Sequence, residues 1–320
     1  MTDKPTILVP GPVHPRVHER LQERFELVEV PLGEEFPLEA EQAAGVRGLT
    51  SFNFAPAAWI ERLPALEIIS NFGVGYDGVD TAAAAARGVV VTNTPDVLND
   101  EVADTTIALL LNTIRRFPVA ENWLRDGRWE REGAFPLSPL SLKGRHVGLY
   151  GLGRIGIEIA RRLEPFKVKI SYHTRSQRSD VPYSYQPTLI DLAKAVDTLI
   201  CIVPKTPETC KAINREVLTA LGPDGVLINV GRGWTVDEDD LETALRAGTI
   251  AAAGLDVFQD EPRVPKGLLE LPNISLLPHV ASASVPTRNA MADLVVDNLI
   301  RWFFDGVPLT PVPETPVKPA

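Results

Sequence analysis

The sequence predicts an α/β protein built on two doubly wound parallel sheets. Short runs rich in Val and Ile alternate with amphipathic segments of helical length, and Gly or Pro punctuates the joints. The pattern also starts twice, once on each side of a long helical stretch. A chain of 320 residues is more than one hydrophobic core usually organises, so two domains are expected. Its 44% apolar and 23% charged residues exclude a disordered or collagen-like chain. Lys and Arg number 32 against 42 Asp and Glu, a net charge of −10, which argues against a nucleic-acid binder or a polybasic membrane protein. Any anionic ligand must therefore be caught by a local device.

The first series of strands reads TILVPG (6–11), FELVEV (25–30), VRGLTSF (46–52), LEIISNFG (66–73) and VVVTNTP (89–95). Asn99 and Asp100 then cap a helix through 116, whose stripe Val102, Ile107, Leu110, Leu111 and Ile114 has helical spacing. That helix is expected to cross between domains. The second series is HVGLYG (146–151), VKISYHT (168–174), TLICIVP (198–204), GVLINVG (225–231), IAAAGLDVF (250–258) and ISLLP (274–278), six strands for one sheet. A last amphipathic run, 287–304, follows the complete second sheet and most simply returns to the first. The expected domains are thus 1–98 with 284–320, and 99–283.

The tail GVPLTPVPETPVKPA has five prolines in fifteen residues and is expected to be an extended strap. The start, MTDKPTILVPG, lacks a basic region followed by a long apolar run, and no uncharged apolar stretch nears the roughly 20 residues that cross a bilayer. A cytoplasmic protein is expected. Cys201 and Cys210 lack nearby His partners and read as inert thiols, with no metal site.

Gly151-Leu152-Gly153-Arg154-Ile155-Gly156 follows a strand and opens an amphipathic helix, which is the context a dinucleotide fingerprint requires. The helix N-terminus offers free N–H groups and a positive dipole to a pyrophosphate. About twenty residues on, an NAD site usually carries an acid for the ribose hydroxyls. Here no acid occurs from Pro165 through Ser179, and the strand ends in His173-Thr174-Arg175-Ser176, followed by Arg178. Two guanidiniums and hydroxyls suit a 2′-phosphate, so NADP(H) is expected over NAD(H), with NAD(H) as a second cofactor.

Three further segments sit at predicted strand ends, where open α/β sheets place their ligands. They carry Arg232 in INVGRGWTVDE, Asp256 and Glu261 in GLDVFQDEP, and His279 in LLPHVASAS. Reduction of a carbonyl by hydride needs a cation to polarise the acceptor and an acid to protonate the developing alkoxide. Arg and His supply those roles, and a carboxylate beside the imidazole favours its protonated form.

With GLGRIG, the Gly231-Arg232-Gly233 turn, Asp256-Val257-Phe258 with Glu261-Pro262, Pro278-His279 and the N-terminal SNFGVGYDGVD in order, the sequence resembles the D-isomer-specific 2-hydroxyacid dehydrogenase family. The resemblance implies a flavodoxin-like substrate domain made from both chain ends and an inserted Rossmann domain. It implies that Arg232 holds the 2-keto acid, that His279 exchanges the proton of the 2-oxygen with Glu261 as its partner, and that Asp256 lies near the nicotinamide. Further cofactor contacts are implied at Thr105, Val203, Pro204, Thr209, Val230, Gly231 and Ser282, and substrate contacts at the amides of Val74 and Gly75. The basic loop at 175–178, together with Arg288, is most similar to the glyoxylate and hydroxypyruvate reductase branch, and Glu261 departs from formate-dehydrogenase-like members, which resemble this pattern with Gln. Arg288 reaches the substrate or serves the surface of its helix. Asn53 and Phe54, just past a strand, are expected to set specificity. Trp123 and Trp129 fall where family members dimerise, so a homodimer is expected. Two other readings stay open: a 2-ketogluconate reductase, and a dinucleotide-sensing binding protein of corepressor type.

Overall fold

The computed structural model describes residues 4–33, 35–315 and 317. The chain divides into two compact units, one taking the described residues of Met1–Leu98 and Ala283–Ala320 and the other Asn99–Ser282. Both are parallel-sheet α/β structures, in agreement with the predicted fold class.

In the first unit, β1 (Thr6–Pro10), β2 (Glu26–Val30), β3 (Val46–Ser51), β4 (Ile68–Asn71) and β5 (Val90–Thr92) form one sheet in the order β2-β1-β3-β4-β5. Every pairing is parallel. Central strands of such a sheet are covered on both faces and must be apolar nearly throughout. Ile7, Leu8, Leu49, Ile68 and Ile69 are accordingly all fully buried, whereas β2, at the edge, buries none of its residues completely. Trp59, Ile60 and Leu63 fill one face. The helix Val285–Asp305 starts at Ser284, whose side chain accepts from the Thr287 amide. It lies over β4, where the Ser70 hydroxyl donates to the Val295 carbonyl at 2.9 Å. Arg20, on the helix Pro15–Arg24, bridges its Asp293 and Asp297 at 2.8 and 2.6 Å.

The proline-rich tail runs along the free edge of β5. The Val312 amide donates to the Val91 carbonyl at 2.9 Å, and the Val91 amide donates to the Thr315 hydroxyl at 2.8 Å. Proline tolerates such an edge because the missing N–H is needed on one side only. The tail's Pro316 and residues 318–320 lie outside the described residues.

In the second unit, β6 (His146–Tyr150), β7 (Lys169–His173), β8 (Ser184–Tyr185), β9 (Thr198–Cys201), β10 (Val226–Asn229), β11 (Ala252–Leu255) and β12 (Ile274–Leu276) pair in the order β12-β11-β10-β9-β6-β7-β8. The sheet has seven strands where six are read from the sequence. The extra strand, β8, is two residues long, too short for any periodicity to announce it. Strand order reverses between β6 and β9, which makes their C-terminal ends the switch point of the sheet. The helix Asn99–Arg115 buries Leu109, Leu110 and Ile114 completely, and stops where Arg116 turns left-handed at φ 57°.

Thr315→Val should leave the buried Val91 amide without an acceptor. Urea unfolding is expected to show a loss of about 1–3 kcal/mol from the unit that carries β5; an unchanged midpoint would mean that the tail contributes nothing to that sheet.

Candidate active site

At the switch point the chain turns sharply from β6 into the helix Arg154–Leu163. Gly151 has φ +101°, and a Cβ there would come within 2.6 Å of the Ile202 carbonyl oxygen. A Cβ on Gly156 would meet the Gly151 oxygen at the same distance, so the helix can approach the strand only with glycine there. A Cβ on Gly153, by contrast, would meet nothing within 4 Å. No side chain caps this helix at Gly153, and such an N-terminus is suited to a phosphate. Leu152 is buried beneath it. These residues fit a pyrophosphate.

β7 ends beside this cradle. The His173 ring stacks between Tyr150 and Tyr185, with centroids 5.8 and 6.4 Å away. The Thr174 hydroxyl donates to the Ser176 carbonyl at 2.7 Å, which tightens the turn that presents Arg175. Arg175 is exposed and has no hydrogen bond or ion pair among the described residues. Arg178 does not share this freedom: its guanidinium binds Asp180 at 2.5 Å and the Leu152 carbonyl at 2.6 Å. The expectation of two available guanidiniums is corrected to one, because Asp180, just beyond the acid-free stretch, occupies the second.

The Arg232 turn follows β10. Asn229, wholly buried, accepts from the Gly231 amide at 3.1 Å and donates to the Arg232 carbonyl at 2.9 Å, fixing both sides of the residue. Sequence reasoning passed over Asn229, although an amide two residues before Gly-x-Gly is the kind of group that braces a turn. A Cβ on Gly233 would fall 1.8 Å from the Phe258 carbonyl carbon, so only glycine lets this turn lie on the loop after β11. The two are also joined by Glu238, whose carboxylate accepts from the Gln259 amide at 2.8 Å. Val230 is buried, and Val203 and Pro204 begin the loop after β9 against Gly231.

Asp256 is completely buried at the end of β11. Its Oδ1 accepts from the Val280 amide at 2.8 Å and its Oδ2 from the Ala281 amide at 3.0 Å, while its carbonyl accepts from the His279 amide at 2.8 Å. Burial pushes this carboxyl up, and the two amides pull against that push. The carboxylate thus clamps His279 in a left-handed conformation at φ 51°, which a non-glycine residue adopts only under constraint. On the same loop the Thr105 hydroxyl donates to the Ala281 carbonyl at 3.2 Å, with Ser282 next in the chain.

His279 Nδ1 lies 2.7 Å from Glu261 Oε2, and Glu261 Oε1 accepts from the Phe258 amide at 3.0 Å. Burial raises the Glu261 carboxyl, but the hydrogen bonds from His279 and Phe258 and the charges of His279 and Arg232 outweigh it, holding the group below its ordinary value. An ionised Glu261 draws the Nδ1 proton toward itself and leaves Nε2 as the working nitrogen. The His279 side chain keeps 48% of its surface exposed. Here are a guanidinium, an imidazole and a carboxylate arranged for general acid–base work. Cys201, by contrast, is buried with its thiol pushed up to about 12, as an inert thiol should be.

In the first unit, β4 runs into the loop 72–76. Its carbonyls are tied back: Asn71 Nδ2 donates to Gly75 at 3.0 Å, Asn93 Nδ2 to Val74 at 2.9 Å, and the Thr94 amide to Gly73 at 2.9 Å. The amides of Val74 and Gly75 donate to no other described residue, which makes a small nest for an anion. The Arg288 guanidinium lies 5.8 Å from the centroid of Phe72 at the start of that loop. Asn53 and Phe54, expected to set specificity, also have structural partners of their own. The Asn53 carboxamide accepts from the Gly78 amide at 2.9 Å, and the Phe54 ring packs edge-on against buried Trp59, so both brace their own loop. The exposed aromatic at that strand end is Phe52, whose ring centroid lies 5.7 Å from that of Phe72.

Trp123 and Trp129 belong to the helices Phe117–Arg125 and Arg128–Glu132, which bury no residue. Among the described residues no helix is long and apolar enough to cross a membrane.

Comparison with known proteins bears on this geometry. Residues 107–281 match the sequence profile of the D-isomer specific 2-hydroxyacid dehydrogenase NAD binding domain. A crystal structure of an NADPH-dependent glyoxylate/hydroxypyruvate reductase from Sinorhizobium meliloti, in complex with NADP and malonate, is similar at 62% identity with a TM-score of 0.97, covering 99% of each chain. The hydroxyphenylpyruvate reductase of Plectranthus scutellarioides is 46% identical over 310 residues, 96% of this chain and 98% of its own. A glyoxylate/hydroxypyruvate reductase A of Arabidopsis thaliana is 48% identical over 258 residues, 81% and 82% of the two chains.

Asp256→Asn keeps the volume but turns one acceptor into a donor facing an amide. Amide hydrogen exchange at Val280 and Ala281 is expected to speed up, and chemical denaturation to show about 1–3 kcal/mol lost; slow exchange in the variant would mean that the clamp is not what orders the His279 loop.

Proposed function

This chain belongs to the D-isomer specific 2-hydroxyacid dehydrogenase family, and from that premise we propose that it reduces short 2-keto acids, glyoxylate and hydroxypyruvate, to 2-hydroxy acids with NADPH as preferred donor and NADH as a second one. The observation that carries the reading is the His279–Glu261 pair at 2.7 Å, which joins the segments after β12 and β11 while Arg232 follows the neighbouring β10, on the same sheet as the pyrophosphate cradle.

The amides at 152–155 take the pyrophosphate, and Arg175, with the hydroxyls of Thr174 and Ser176 and the His173 ring beside them, takes the 2′-phosphate. Thr105, Val203, Pro204, Thr209, Val230, Gly231, Asp256 and Ser282 line the rest of the dinucleotide. Asp256 does so with both carboxylate oxygens already engaged, so its first duty is to hold the His279 loop. When bound, the reduced nicotinamide supplies the hydride to the carbonyl carbon. Arg232 holds the carbonyl and carboxylate oxygens of the acid and polarises the carbonyl. His279 gives its Nε2 proton to the 2-oxygen as negative charge develops there, and Glu261 keeps the imidazolium oriented and compensated. The nest of Val74 and Gly75 takes the carboxylate, with Arg288 and the 52–54 segment as further specificity elements. We also read the protein as a cytoplasmic homodimer: both cysteines are free thiols, and Phe117, Val119, Leu124 and Trp129 expose apolar surface suited to a second copy.

Initial rates with NADPH and NADH test the reading, using glyoxylate, hydroxypyruvate, pyruvate, phenylpyruvate and 2-ketogluconate as acceptors. NADPH with the two short acids should be fastest, and Arg175→Ala should raise the KM for NADPH at least about tenfold while moving that for NADH little. Equal effects on both donors would remove Arg175 from the phosphate site, and no turnover at all would favour a binding protein. Reduction consumes the protonated imidazole, so kcat should fall as pH rises, with oxidation showing the opposite trend. Glu261→Gln removes the carboxylate that orients Nδ1, so kcat should drop at least about tenfold while the Kd for NADPH changes little; an unchanged kcat would leave Glu261 a purely structural part.

A further inference from the structure

Trp234 stands two residues beyond Arg232, and the chemistry above makes no use of it. Its indole Nε1–H donates to the Thr206 carbonyl at 3.0 Å, and Lys205 Nζ lies 4.6 Å from the ring centroid. Its own carbonyl accepts from the Lys211 amide at 2.9 Å, and the next residue, Thr235, accepts from the Ile213 amide at 2.9 Å. A large, stiff side chain therefore lies on the loop that follows β9. Between Pro204 and Lys211 the loop is also held from outside at its far end, by the ion pair of Lys211 with Asp237 at 3.0 Å. Its other bonds are local, chiefly the Thr206 amide to the Thr209 hydroxyl at 2.9 Å and that hydroxyl to the Pro204 carbonyl at 2.9 Å.

The same loop walls the cofactor cradle. Its start is pressed against Gly151 and Gly231, where a Cβ would come within 2.6 Å of the Ile202 oxygen and 2.9 Å of the Val203 oxygen. Farther along, Glu208 is held below its ordinary value by its own amide and the Thr206 hydroxyl, with the charge of Arg175 adding to them. One segment thus touches the phosphate turn, the Arg232 turn and the field of the arginine that faces the 2′-phosphate.

We propose that Trp234 is a positioning residue for the dinucleotide, a latch that holds the 203–209 wall in its cofactor-ready position before NADPH arrives. The inference rests on the reading that this chain binds NADPH. A wall already ordered loses little freedom on binding, so the latch favours affinity without touching the reacting atoms. Lys205 secures the indole from its open face through the attraction of an ammonium to the ring.

Trp234→Phe tests this, because the ring and its packing stay while the N–H donor goes; Lys205→Met removes only the cation. Isothermal titration of the purified protein should show the Kd for NADPH raised about three- to tenfold in Trp234→Phe, the worth of one net hydrogen bond. Hydrogen exchange of the amides at 205–211 should quicken in the same variant without cofactor present. The KM for the keto acid at saturating NADPH should stay within about twofold, since Arg232 is braced by Asn229 from the other side. Unchanged NADPH affinity together with unchanged exchange would overturn the latch. A keto-acid KM that rises as much as the NADPH Kd would also overturn it, by showing that the indole acts through Arg232 instead. If the unaltered protein binds neither NADPH nor NADH, the cofactor reading itself falls and the latch with it.

Discussion

The arrangement of the proposed catalytic groups depends on one buried carboxylate. Asp256 sits at the end of β11 with no exposed surface, and it satisfies itself on the two amides that follow His279. A non-glycine residue in the left-handed region costs on the order of 1–3 kcal/mol, so His279 holds φ 51° only because its neighbours over-determine it. The carboxylate in turn tolerates burial only because both oxygens are bonded. Each feature makes the other possible, and together they aim the imidazole so that Nδ1 meets Glu261 and Nε2 is left open.

The same logic extends outward from that loop. Gly233 has no side chain because the Phe258 main chain occupies the space, Glu238 reaches the Gln259 amide, and Asn229 holds Arg232 by its carbonyl. The loops after β10, β11 and β12 are thereby joined into one unit, which is what a catalytic constellation needs if its members are to hold their distances through turnover. Trp234 continues the chain of contacts toward the cofactor loop. The parallel sheet explains why these loops meet at all: every strand points the same way, so all of their following turns gather at one end.

Electrostatics follow from a chain with a net charge of −10 that is proposed to handle a polyanionic cofactor and an anionic substrate. A diffuse basic surface is not available, and in the proposed reaction selectivity would come from short-range devices instead. These are the uncapped helix at Arg154, the amide nest at Val74 and Gly75, and the guanidiniums of Arg175 and Arg232. Arg178 shows how narrowly such charges are rationed: eight residues past Ile170, it is neutralised by the next acid in the chain.

By itself the sequence determined the fold class, the family resemblance, the glycine cradle and the choice of Arg232, Glu261 and His279 as the proposed reactive groups. Those are local signals: apolar runs of strand length, a Gly-rich turn between strand and helix, and chemically capable side chains at strand ends. What only the tertiary structure decided were matters of who holds whom across the chain. That β8 exists, that Arg178 belongs to Asp180, that Phe54 serves Trp59 and leaves Phe52 exposed, and that Asp256 grips the amides of 280 and 281 all depend on contacts between residues paired by folding. Composition and periodicity carry no record of such pairings, because a side chain's partner is set by where the backbone takes it and not by its neighbours in sequence.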